Sequence, residues 1–488
     1  MKRVGFAWRR CGPRNRSEAA VPPLAGASQA IGLACVAVVL TVVTWTCPSA
    51  LAISPPVVDP GAQPPSGAPG PVVPMEQRGE CTVSGVIPGT DPALASPSQA
   101  MLNLPAAWKL SRGDGQLVAI IDTGVRPGPR LPSVDPGGDY VESTDGLTDC
   151  DGHGTLVAGI VAGQPGNDGF SGVAPAARLV SIRATSAKFS PRTPGGDPAV
   201  ARASIDVATL ARAIVRAADL GARVINISDV TCLPADRTVD QAELGAAIRY
   251  AAVEKDAVIV AAAGNAGATG SVGGGTSCES NPLTDMSRPD DPRNWSGVTS
   301  VSIPSWWQPY VLSVGSLTPQ AQPSKFTMAG PWVGVAAPGE DMVSVSNRDD
   351  GGLANGLPND RRQQIALSGT SYAAGYVSGV AALVRSKYPN LTAAQVVQRI
   401  TATAHNGARA PSNVVGAGTL DPVAALSWEL PSTTTTNPAP VKQVAAPPEP
   451  APKDPTPRIV AFAGTAALAL AVGAAAAIAA RRRKELTK

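Results

Sequence analysis

Mostly apolar runs that end at a polar residue recur along the middle of the chain. Leu117–Asp122 ends in a carboxylate, and Val224–Ser228 ends in a hydroxyl. Short apolar runs without strict alternation are typical of strands buried on both faces of a parallel sheet. Two further stretches, Leu156–Val161 and Tyr372–Arg385, predict buried helices. The pattern therefore predicts strands that deliver polar side chains to the carboxyl edge of a parallel sheet, where the chain turns into helices.

A longer apolar stretch lies near the start of the chain. It runs from Ala30 to Thr46, follows a start rich in arginine, and precedes Ala50-Leu51-Ala52. A basic start, an apolar centre and a small-x-small site are typical of a secretory signal peptide. We therefore assign 1–52 to a signal peptide that is cleaved after Ala52.

A second long apolar stretch, 458–480, has no charge between Arg458 and Arg481, and a basic tail, 481–488, follows it. At about 1.5 Å of rise per residue it is long enough for a transmembrane helix, and the basic cluster marks the cytoplasmic side. Its many alanines make it only weakly hydrophobic, so a soluble or surface helix is the alternative. We expect the domain between the two stretches to lie outside the cytoplasm, whether or not the signal peptide is cleaved.

Two segments beside these stretches have compositions that do not support a core. Residues 431–457 are dense in proline and threonine, which predicts an extended spacer, although a disordered tail has the same composition. Residues 53–96 are rich in proline and lack alternating apolar patterns, so we expect an extension that wraps the next domain rather than a folded prodomain that departs. That domain, 97–430, is interrupted at Ser186–Arg202 and Ala268–Val298 by aperiodic stretches, which we interpret as surface loops or partner contacts.

Length and charge narrow the classes of function. The 488 residues carry a net charge of +3, partly in the two membrane flanks, which gives no basis for nucleic-acid binding. The middle of the chain, about 330 residues, suffices for one large α/β domain with helices on both faces of a mostly parallel sheet. The sequence has no zinc-type spacing, and the glycines of 270–275 lack the lysine of a phosphate-binding loop. We therefore expect neither a metal nor another cofactor.

Three polar residues at predicted strand-to-helix junctions have the types that a serine peptidase requires. Asp122 ends a strand, His153 lies in Asp-Gly-His-Gly-Thr before an apolar helix, and Ser371 ends Ser-Gly-Thr-Ser before a helix of small residues. A serine hydroxyl is a weak nucleophile unless an imidazole removes its proton and a carboxylate orients the imidazole. The other histidine, His405, lies at a predicted helix end and is interpreted as a capping or surface residue. We interpret Asp122, His153 and Ser371 as a catalytic triad.

The order Asp, His, Ser along the chain resembles that of the subtilisin-like serine peptidases, the subtilases. Other segments similar to those of the family are Gly172–Pro175, Val258–Asn265 and Val335–Gly339. The resemblance covers about 97–430 and implies a subtilisin-like three-layer fold and endopeptidase activity. It also implies that Asn265 donates to the oxyanion together with the backbone N–H of Ser371. An asparagine chosen for a turn at positive φ is the alternative interpretation of Asn265.

The same resemblance implies that substrate lies extended between two exposed strand edges and pairs with them through main-chain hydrogen bonds. The residues expected there are Asn226, Ile227, Ser228, Asp229, Ala263 and Gly264. Two departures from the family pattern are present. Ser228-Asp229-Val230 stands where subtilases usually have Ser-Leu-Gly, so no side-chain preference is implied. Tyr372–Tyr376 replaces a stretch that usually contains proline and histidine.

Four cysteines remain if cleavage follows Ala52, and they would lie in an oxidising compartment. They are Cys81, Cys150, Cys232 and Cys278. Three pairings are possible, and free buried thiols are a further alternative. We favour Cys81 with Cys150 and Cys232 with Cys278, because Cys150 lies just before His153 and Cys81 alone lies outside the predicted peptidase core. The first bond would hold the extension beside the Asp-His region.

The predicted segments together resemble the mycosins, the membrane-anchored subtilases of actinobacterial type VII secretion systems. Those segments are a signal peptide, a cysteine-bearing extension, a subtilase domain, a proline-rich linker, one membrane span and a basic tail. The resemblance implies an enzyme at the cell membrane with an extracytoplasmic catalytic domain and a cytoplasmic carboxyl terminus. It implies secreted proteins as substrates and membrane components of the secretion complex as partners. The alternative is an assembly component of that complex whose proteolysis is dispensable.

Overall fold

The computed structural model of the chain describes 53–192, 197–267, 278–285, 287–359, 361–407, 411–430 and scattered positions between 463 and 482. The chain divides into two compact units, Met1–Glu429 and Leu430–Lys488. The predicted signal peptide, the predicted linker and most of the predicted span and tail lie outside the described residues. The scattered positions of the second unit are helical. Within the described part of the chain, no helix has both the length and the hydrophobicity needed to cross a bilayer.

A seven-stranded sheet forms the core of the first unit, and all its neighbouring strands run parallel. Its strands are β2 (Leu117–Asp122), β3 (Val134–Asp139), β4 (Arg178–Arg183), β6 (Val224–Ile227), β8 (Val258–Ala262), β10 (Val311–Leu317) and β11 (Val333–Pro338). They lie in the order β11-β10-β8-β6-β2-β4-β3. The central strands β6 and β8 are buried along their whole length, which explains why their sequences do not alternate. The prediction of a mostly parallel α/β sheet is confirmed.

Helices pack on this sheet in two layers. The helices are α1 (Pro97–Met101), α2 (Leu104–Ala107), α3 (His153–Ala162), α4 (Pro198–Asp219), α5 (Ala242–Arg249), α6 (Thr370–Lys387), α7 (Ala393–Thr403) and α8 (Pro422–Ser427), with a π-helical turn at Tyr250–Glu254 and a 3₁₀ turn at Trp295–Gly297. In one layer α3 packs against α6, and in the other α4 packs against α5. Every residue of α3 is buried, which is typical of a helix in the core of a large domain.

The extension 53–96 lies on the peptidase domain. Its strand β1 (Met75–Gln77) pairs antiparallel with β5 (Phe189–Pro191). A disulfide joins Cys81 to Cys150, and further along the backbone N–H of Ser84 donates to Asn347 Oδ1 at 3.0 Å. The second disulfide joins Cys232 to Cys278. The structure thus has the cysteine pairing that the sequence favoured.

One of the two interrupting stretches is more regular than the sequence predicted. Ser186–Arg202 contains β5 and the first turn of α4, not an aperiodic loop alone. Helix α4 begins here because the Asp197 carboxylate accepts from the N–H groups of Ala199 and Val200, and Pro198 takes the first helical position. Strand β5 forms because β1, from a distant part of the chain, pairs with it. In the other stretch, 268–277 lie outside the described residues.

The remaining strands form short two-stranded sheets outside the large sheet. They are β7 (Thr231–Pro234) with β9 (Ser300–Ile303), β12 (Ser344–Val345) with β13 (Leu353–Ala354), and β14 (Gly356–Pro358) with β15 (Gln364–Ala366). Strand β7 of the first pair follows β6 along the chain, and strands β14 and β15 of the last pair precede Ser371. These pairs therefore shape the segments that lead into and out of the carboxyl edge of the large sheet.

Candidate active site

Three predicted residues meet at the carboxyl edge of the sheet. Asp122 is the last residue of β2, His153 the first residue of α3, and Ser371 the second residue of α6. His153 Nδ1 lies 2.8 Å from Asp122 Oδ1, and His153 Nε2 lies 2.9 Å from Ser371 Oγ. All three side chains are buried. A continuous chain of hydrogen bonds thus connects carboxylate, imidazole and hydroxyl.

Helix α3 can approach Asp122 because the residue after His153 is glycine. A Cβ atom at Gly154 would lie 2.0 Å from the carbonyl oxygen of Gly124 and 3.2 Å from Asp122 Cβ. Any larger residue would therefore push α3 away from the turn that follows β2. The glycine is needed for space in this position, and it sets the distance between the imidazole and its carboxylate.

Buried carboxylates surround the imidazole. Burial by itself lowers the pKa of His153, but Asp122 and, more weakly, Asp149 and Asp229 raise it, so that the net pKa is about 9. Burial raises the pKa of Asp149 to about 6, and burial together with the charge of Asp206 raises that of Asp229 to about 7. The site therefore favours the imidazolium form, and the neutral base becomes abundant in alkaline solution.

Asn265 lies beside the serine. Its Oδ1 accepts from the backbone N–H of Thr370 at 3.0 Å and from Thr370 Oγ1 at 2.9 Å. These bonds orient the amide so that Nδ2 faces the space above Gly369. A Cβ atom built at Gly369 would lie 3.1 Å from Ser371 Oγ and 3.5 Å from Asn265 Nδ2. The serine hydroxyl and the amide nitrogen therefore border the same small space.

The structure changes the predicted substrate edges. Asn226 and Ile227 are not at an exposed edge, because β6 is paired with β2 on one side and β8 on the other. Asn226 is fully buried, and its amide donates to Ser228 Oγ while its Oδ1 accepts from Ser378 Oγ, each at 2.8 Å. These two residues support the site from within the sheet, and that part of the prediction is wrong.

The second predicted edge is also partly occupied. The N–H of Ala263 donates to the Val314 carbonyl at 2.9 Å, and the N–H of Gly264 donates to Thr370 Oγ1 at 3.2 Å. The Gly264 carbonyl accepts from the N–H of Met328 at 3.0 Å. Ala263 and Gly264 therefore line the site, but these main-chain groups are not free to pair with an added strand.

Ser228 and Asp229 lie beyond the paired part of β6. Asp229 borders a cavity of about 30 Å³ together with Thr185, Asp206 and Leu210. On the serine side, a wider groove of about 500 Å³ reaches Ser368 and is lined by Phe326, Lys325, Glu340 and three others: Thr318, Ile365 and Ala366. Asp229 therefore borders a small cavity, and a wider groove reaches the segment just before Ser371.

The remaining predictions concern residues away from this cluster. His405 follows α7 and is half exposed, and its Nδ1 lies 3.4 Å from Asp421 Oδ2, so it does not join the site. Within the described residues, no group of three or more histidine, cysteine or acidic side chains is placed to hold a metal ion.

Sequence reasoning missed two residues in the cluster. Asp149 and Tyr372 are both buried beside His153, the tyrosine ring centroid lying 5.3 Å from that of the imidazole. The only local signal was an aspartate four residues before His153 and a tyrosine directly after Ser371. Neither signal indicates burial, because the atoms that cover these side chains come from distant segments.

Comparison with known proteins places the chain in a family. A model of the subtilase family, Peptidase S8, matches residues 113–418. Mycosin-3 of Mycobacterium tuberculosis is 74% identical over 457 residues, which cover 93% of this chain and 99% of the relative. Mycosin-1 of Mycolicibacterium smegmatis is 44% identical and covers 90% of this chain and 97% of the relative.

Solved structures agree with this placement. The structure of the MycP3 protease from the type VII (ESX-3) secretion system is 68% identical, with a TM-score of 0.74, over 77% of this chain and 100% of that one. A chain in the structure of an intact ESX-5 inner membrane complex is 48% identical, with a TM-score of 0.75, over 88% of this chain and 100% of that one. The chain therefore belongs to the subtilase family of serine peptidases and, within it, to the mycosins.

Proposed function

We propose that this chain hydrolyses peptide bonds with Asp122, His153 and Ser371 as its catalytic triad. The unbroken hydrogen-bond chain from Asp122 through His153 to Ser371 carries this proposal. Ser371 Oγ attacks the peptide carbonyl while His153 Nε2 takes its proton, and Asp122 stabilises the imidazolium. The tetrahedral intermediate expels the amine, which takes that proton, and water then releases the acyl group by the reverse sequence.

Asn265 and the backbone N–H of Ser371 form the proposed oxyanion hole. The support is the shared space above Gly369, which Ser371 Oγ and Asn265 Nδ2 both border. A preorganised donor is effective there because the carbonyl oxygen gains charge only as the bond to Ser371 forms. In subtilisin, loss of the corresponding donor lowers turnover by about 100- to 1,000-fold, and the same range is expected for Asn265→Ala.

Substrate contacts are proposed at Ser228 and Asp229, with Ala263 and Gly264 lining the site. The support is that Ser228 and Asp229 follow the paired part of β6, so their main-chain groups are not paired within the large sheet. The groove of about 500 Å³ beside Ser368 offers a path for the other side of the scissile bond. We infer that the peptide crosses the carboxyl edge of the sheet between these two surfaces.

We further propose that the enzyme acts on secreted proteins at a type VII secretion complex, with membrane components of that complex as partners. Relatives described as belonging to the ESX-3 system and to the ESX-5 inner membrane complex support this placement. The sequence of 1–52 and 458–488 supports a domain held outside the cytoplasm by one span, with 53–96 wrapped on it and 431–457 as the spacer.

A second candidate function is an assembly role in which cleavage is dispensable. The observation that favours it is a similar chain within the structure of the ESX-5 periplasmic assembly, 49% identical with a TM-score of 0.75. The fold and its extension would then supply contact surfaces for other components of the complex, and the triad would be retained for an occasional cleavage. Both functions use the same domain, so a change of one atom in the site can separate them.

Ser371→Ala is that change. Expressed as the full chain in cells that lack the protein, it removes the nucleophile, so processing of exported proteins should stop, as measured by their amino termini. Secretion that continues favours the assembly role, whereas loss of both processing and secretion favours the peptidase. Ser427→Ala, an exposed serine on α8, is the matched control and should behave as the wild type. A purified wild-type chain whose Ser371 is not labelled by a fluorophosphonate would count against the peptidase proposal.

A further inference from the structure

Asp149 is a buried carboxylate that precedes His153 by four residues and is not one of the three residues proposed for the triad. Only 7% of its surface is exposed. Its Oδ1 accepts from Thr123 Oγ1 at 2.9 Å and from the N–H groups of Asp151 and Gly152 at 3.1 and 2.8 Å. One oxygen thus ties the turn after β2 to the loop that leads into His153.

The other oxygen of Asp149 holds the start of α3. Oδ2 accepts from the backbone N–H of Thr155 at 2.9 Å and from Thr155 Oγ1 at 2.6 Å. In addition, Thr123 Oγ1 accepts from the N–H of Gly154 at 2.9 Å, which closes the connection between the two segments. The carboxylate therefore caps the helix that carries His153 and binds the residue that follows Asp122.

The position of Asp149 affects both members of the Asp122–His153 bond. Thr123 is rigidly linked to Asp122, because its N–H donates to Asp122 Oδ1 at 2.7 Å. Asp149 accepts hydrogen bonds from Thr123 on one side and from Gly152 and Thr155 on the other. These bonds restrict changes in the distance between Asp122 and His153. Small displacements matter here, since a misplacement of about 1 Å can lower a rate about 100-fold.

Charge adds to this geometric effect. The charged groups that act on His153 are Asp122 from β2, Asp149 from its own loop and Asp229 from beyond β6, and the ring of the titratable Tyr372 from α6 packs beside the imidazole. Burial raises the pKa of Asp149 to about 6, so this carboxyl group is ionised in the alkaline range where neutral His153 becomes abundant. An ionised Asp149 attracts the proton that His153 receives during attack.

We propose that Asp149 is a positioning residue of this peptidase, which holds His153 against Asp122 and stabilises the imidazolium through its own negative charge. This inference rests on the proposed function and deepens it. Asn at this position has the same shape but turns an NH₂ group toward N–H or O–H donors, so it loses both the charge and part of the network.

The test measures how fast a fluorophosphonate labels Ser371 in the purified full chain from pH 6 to pH 10. Labelling forms an Oγ–P bond, expels fluoride and transfers the Ser371 proton to His153, so its rate reports the neutral imidazole. In Asp149→Asn we expect the maximal rate to fall about 10- to 100-fold. We also expect the rise of the rate with pH to move about one unit toward lower pH, because the imidazolium has lost a stabilising charge.

Matched variants separate position from charge and from folding. Asp151→Asn removes a carboxylate from the same loop whose bonds go instead to Ser186 and Ala187, and it should leave the pH of the rise unchanged. Thr155→Val removes one hydroxyl donor to Asp149 but leaves the charge of Asp149 in place. The maximal rate should therefore fall by less than in Asp149→Asn while the pH of the rise is unchanged, and Thr155→Ser should restore the rate. The Thr155 variants test the positioning role if Asp149→Asn fails to fold.

The proposal is overturned if the rise stays at the wild-type pH in Asp149→Asn, and a lower rate with an unmoved rise in that variant would mean a structural role alone. Where Asp149→Asn is unfolded, the proposal is overturned if Thr155→Val is labelled as fast as the wild type. Failure of the proposed function is a different result: the wild-type chain itself would not be labelled at any pH.

Discussion

At the scale of single residues, the site depends on two glycines that have no side chain. Gly154 and Gly369 both lie where a Cβ atom would enter occupied or reactive space, 2.0 Å from the Gly124 carbonyl oxygen in one case and 3.1 Å from Ser371 Oγ in the other. The φ of Gly369 is 165°, an extended conformation that any residue can adopt. Its role is therefore to leave space, not to relieve backbone strain.

Gly369→Ala should abolish most activity and leave the fold intact. The added methyl group lies between Ser371 Oγ and Asn265 Nδ2, where the oxyanion would form, so we expect a loss of turnover of about 100-fold or more. Fluorophosphonate labelling of the folded variant measures the loss, and thermal unfolding checks the fold.

Gly128→Ala is the matched control for this substitution. A Cβ at Gly128 meets only the Gly351 Cα, at 3.9 Å, so labelling should remain within about threefold of the wild type. A Gly369→Ala variant that is labelled as fast as the control would show that the space above Ser371 has no role in the reaction.

At the scale of elements, the extension and the loop before α3 are joined covalently. The Cys81–Cys150 bond spans 69 residues and attaches the extension next to Asp149. Strand β1 adds three residues of pairing to β5, and hydrogen bonds such as that from the Ser84 N–H to Asn347 Oδ1 add further contacts, but the disulfide is the covalent attachment of the extension. The bond therefore couples the order of 53–96 to that of the loop which carries His153.

The double variant Cys81→Ser, Cys150→Ser should lower the free energy of unfolding by about 2–4 kcal/mol, because the unfolded chain regains the freedom of the open loop. Urea unfolding measures this change. Limited proteolysis should also cut within 53–96 of this variant before it cuts the rest of the domain.

Cys232→Ser with Cys278→Ser is the matched control, since it opens a loop with a sequence separation of 46 that does not include the extension. Its unfolding free energy should fall by a similar amount, but 53–96 should stay resistant to proteolysis. Equal resistance of the extension in both double variants would contradict the proposed coupling.

At the scale of the whole molecule, buried titrating groups make stability and activity depend on pH in opposite directions. The pKa of His153 is raised from 6.5 to about 9, so its contribution to stability is complete below about pH 6.5 and is lost as the pH rises through about 9. The pKa values of Asp149 and Asp229 are raised from 3.8 to about 6 and about 7, and their contributions are lost as the pH rises through those values. Each group binds its proton more tightly in the folded state.

The free energy of unfolding should therefore fall steadily from pH 5 to pH 9, while the rate of Ser371 labelling rises over the upper part of that range. Urea unfolding at a series of pH values measures the first trend. His153→Gln should flatten the fall between pH 7 and pH 9, because the titrating imidazole is gone. Unfolding free energies that rise with pH in this window would refute the assignment of these raised pKa values.

The sequence by itself determined the local elements and the chemical types that they present. The apolar run of β2, the buried helix α3 and the small-residue helix that follows Ser371 are all readable from neighbouring residues, since burial on both sides demands continuous apolar sequence. The sequence also favoured, among three possible pairings, the cysteine pairing that the structure has.

Only the tertiary structure decided which atoms meet across the fold. Asn226 and Ile227 had the right sequence for an edge but lie between two partner strands, and Phe189–Pro191 forms a strand because β1 pairs with it. The role proposed for Asp149 depends on its hydrogen bonds with Thr123 and Thr155, which exist only in the folded chain. A strand's neighbours and a carboxylate's surroundings come from segments far away along the chain, so no local pattern of residues can encode them.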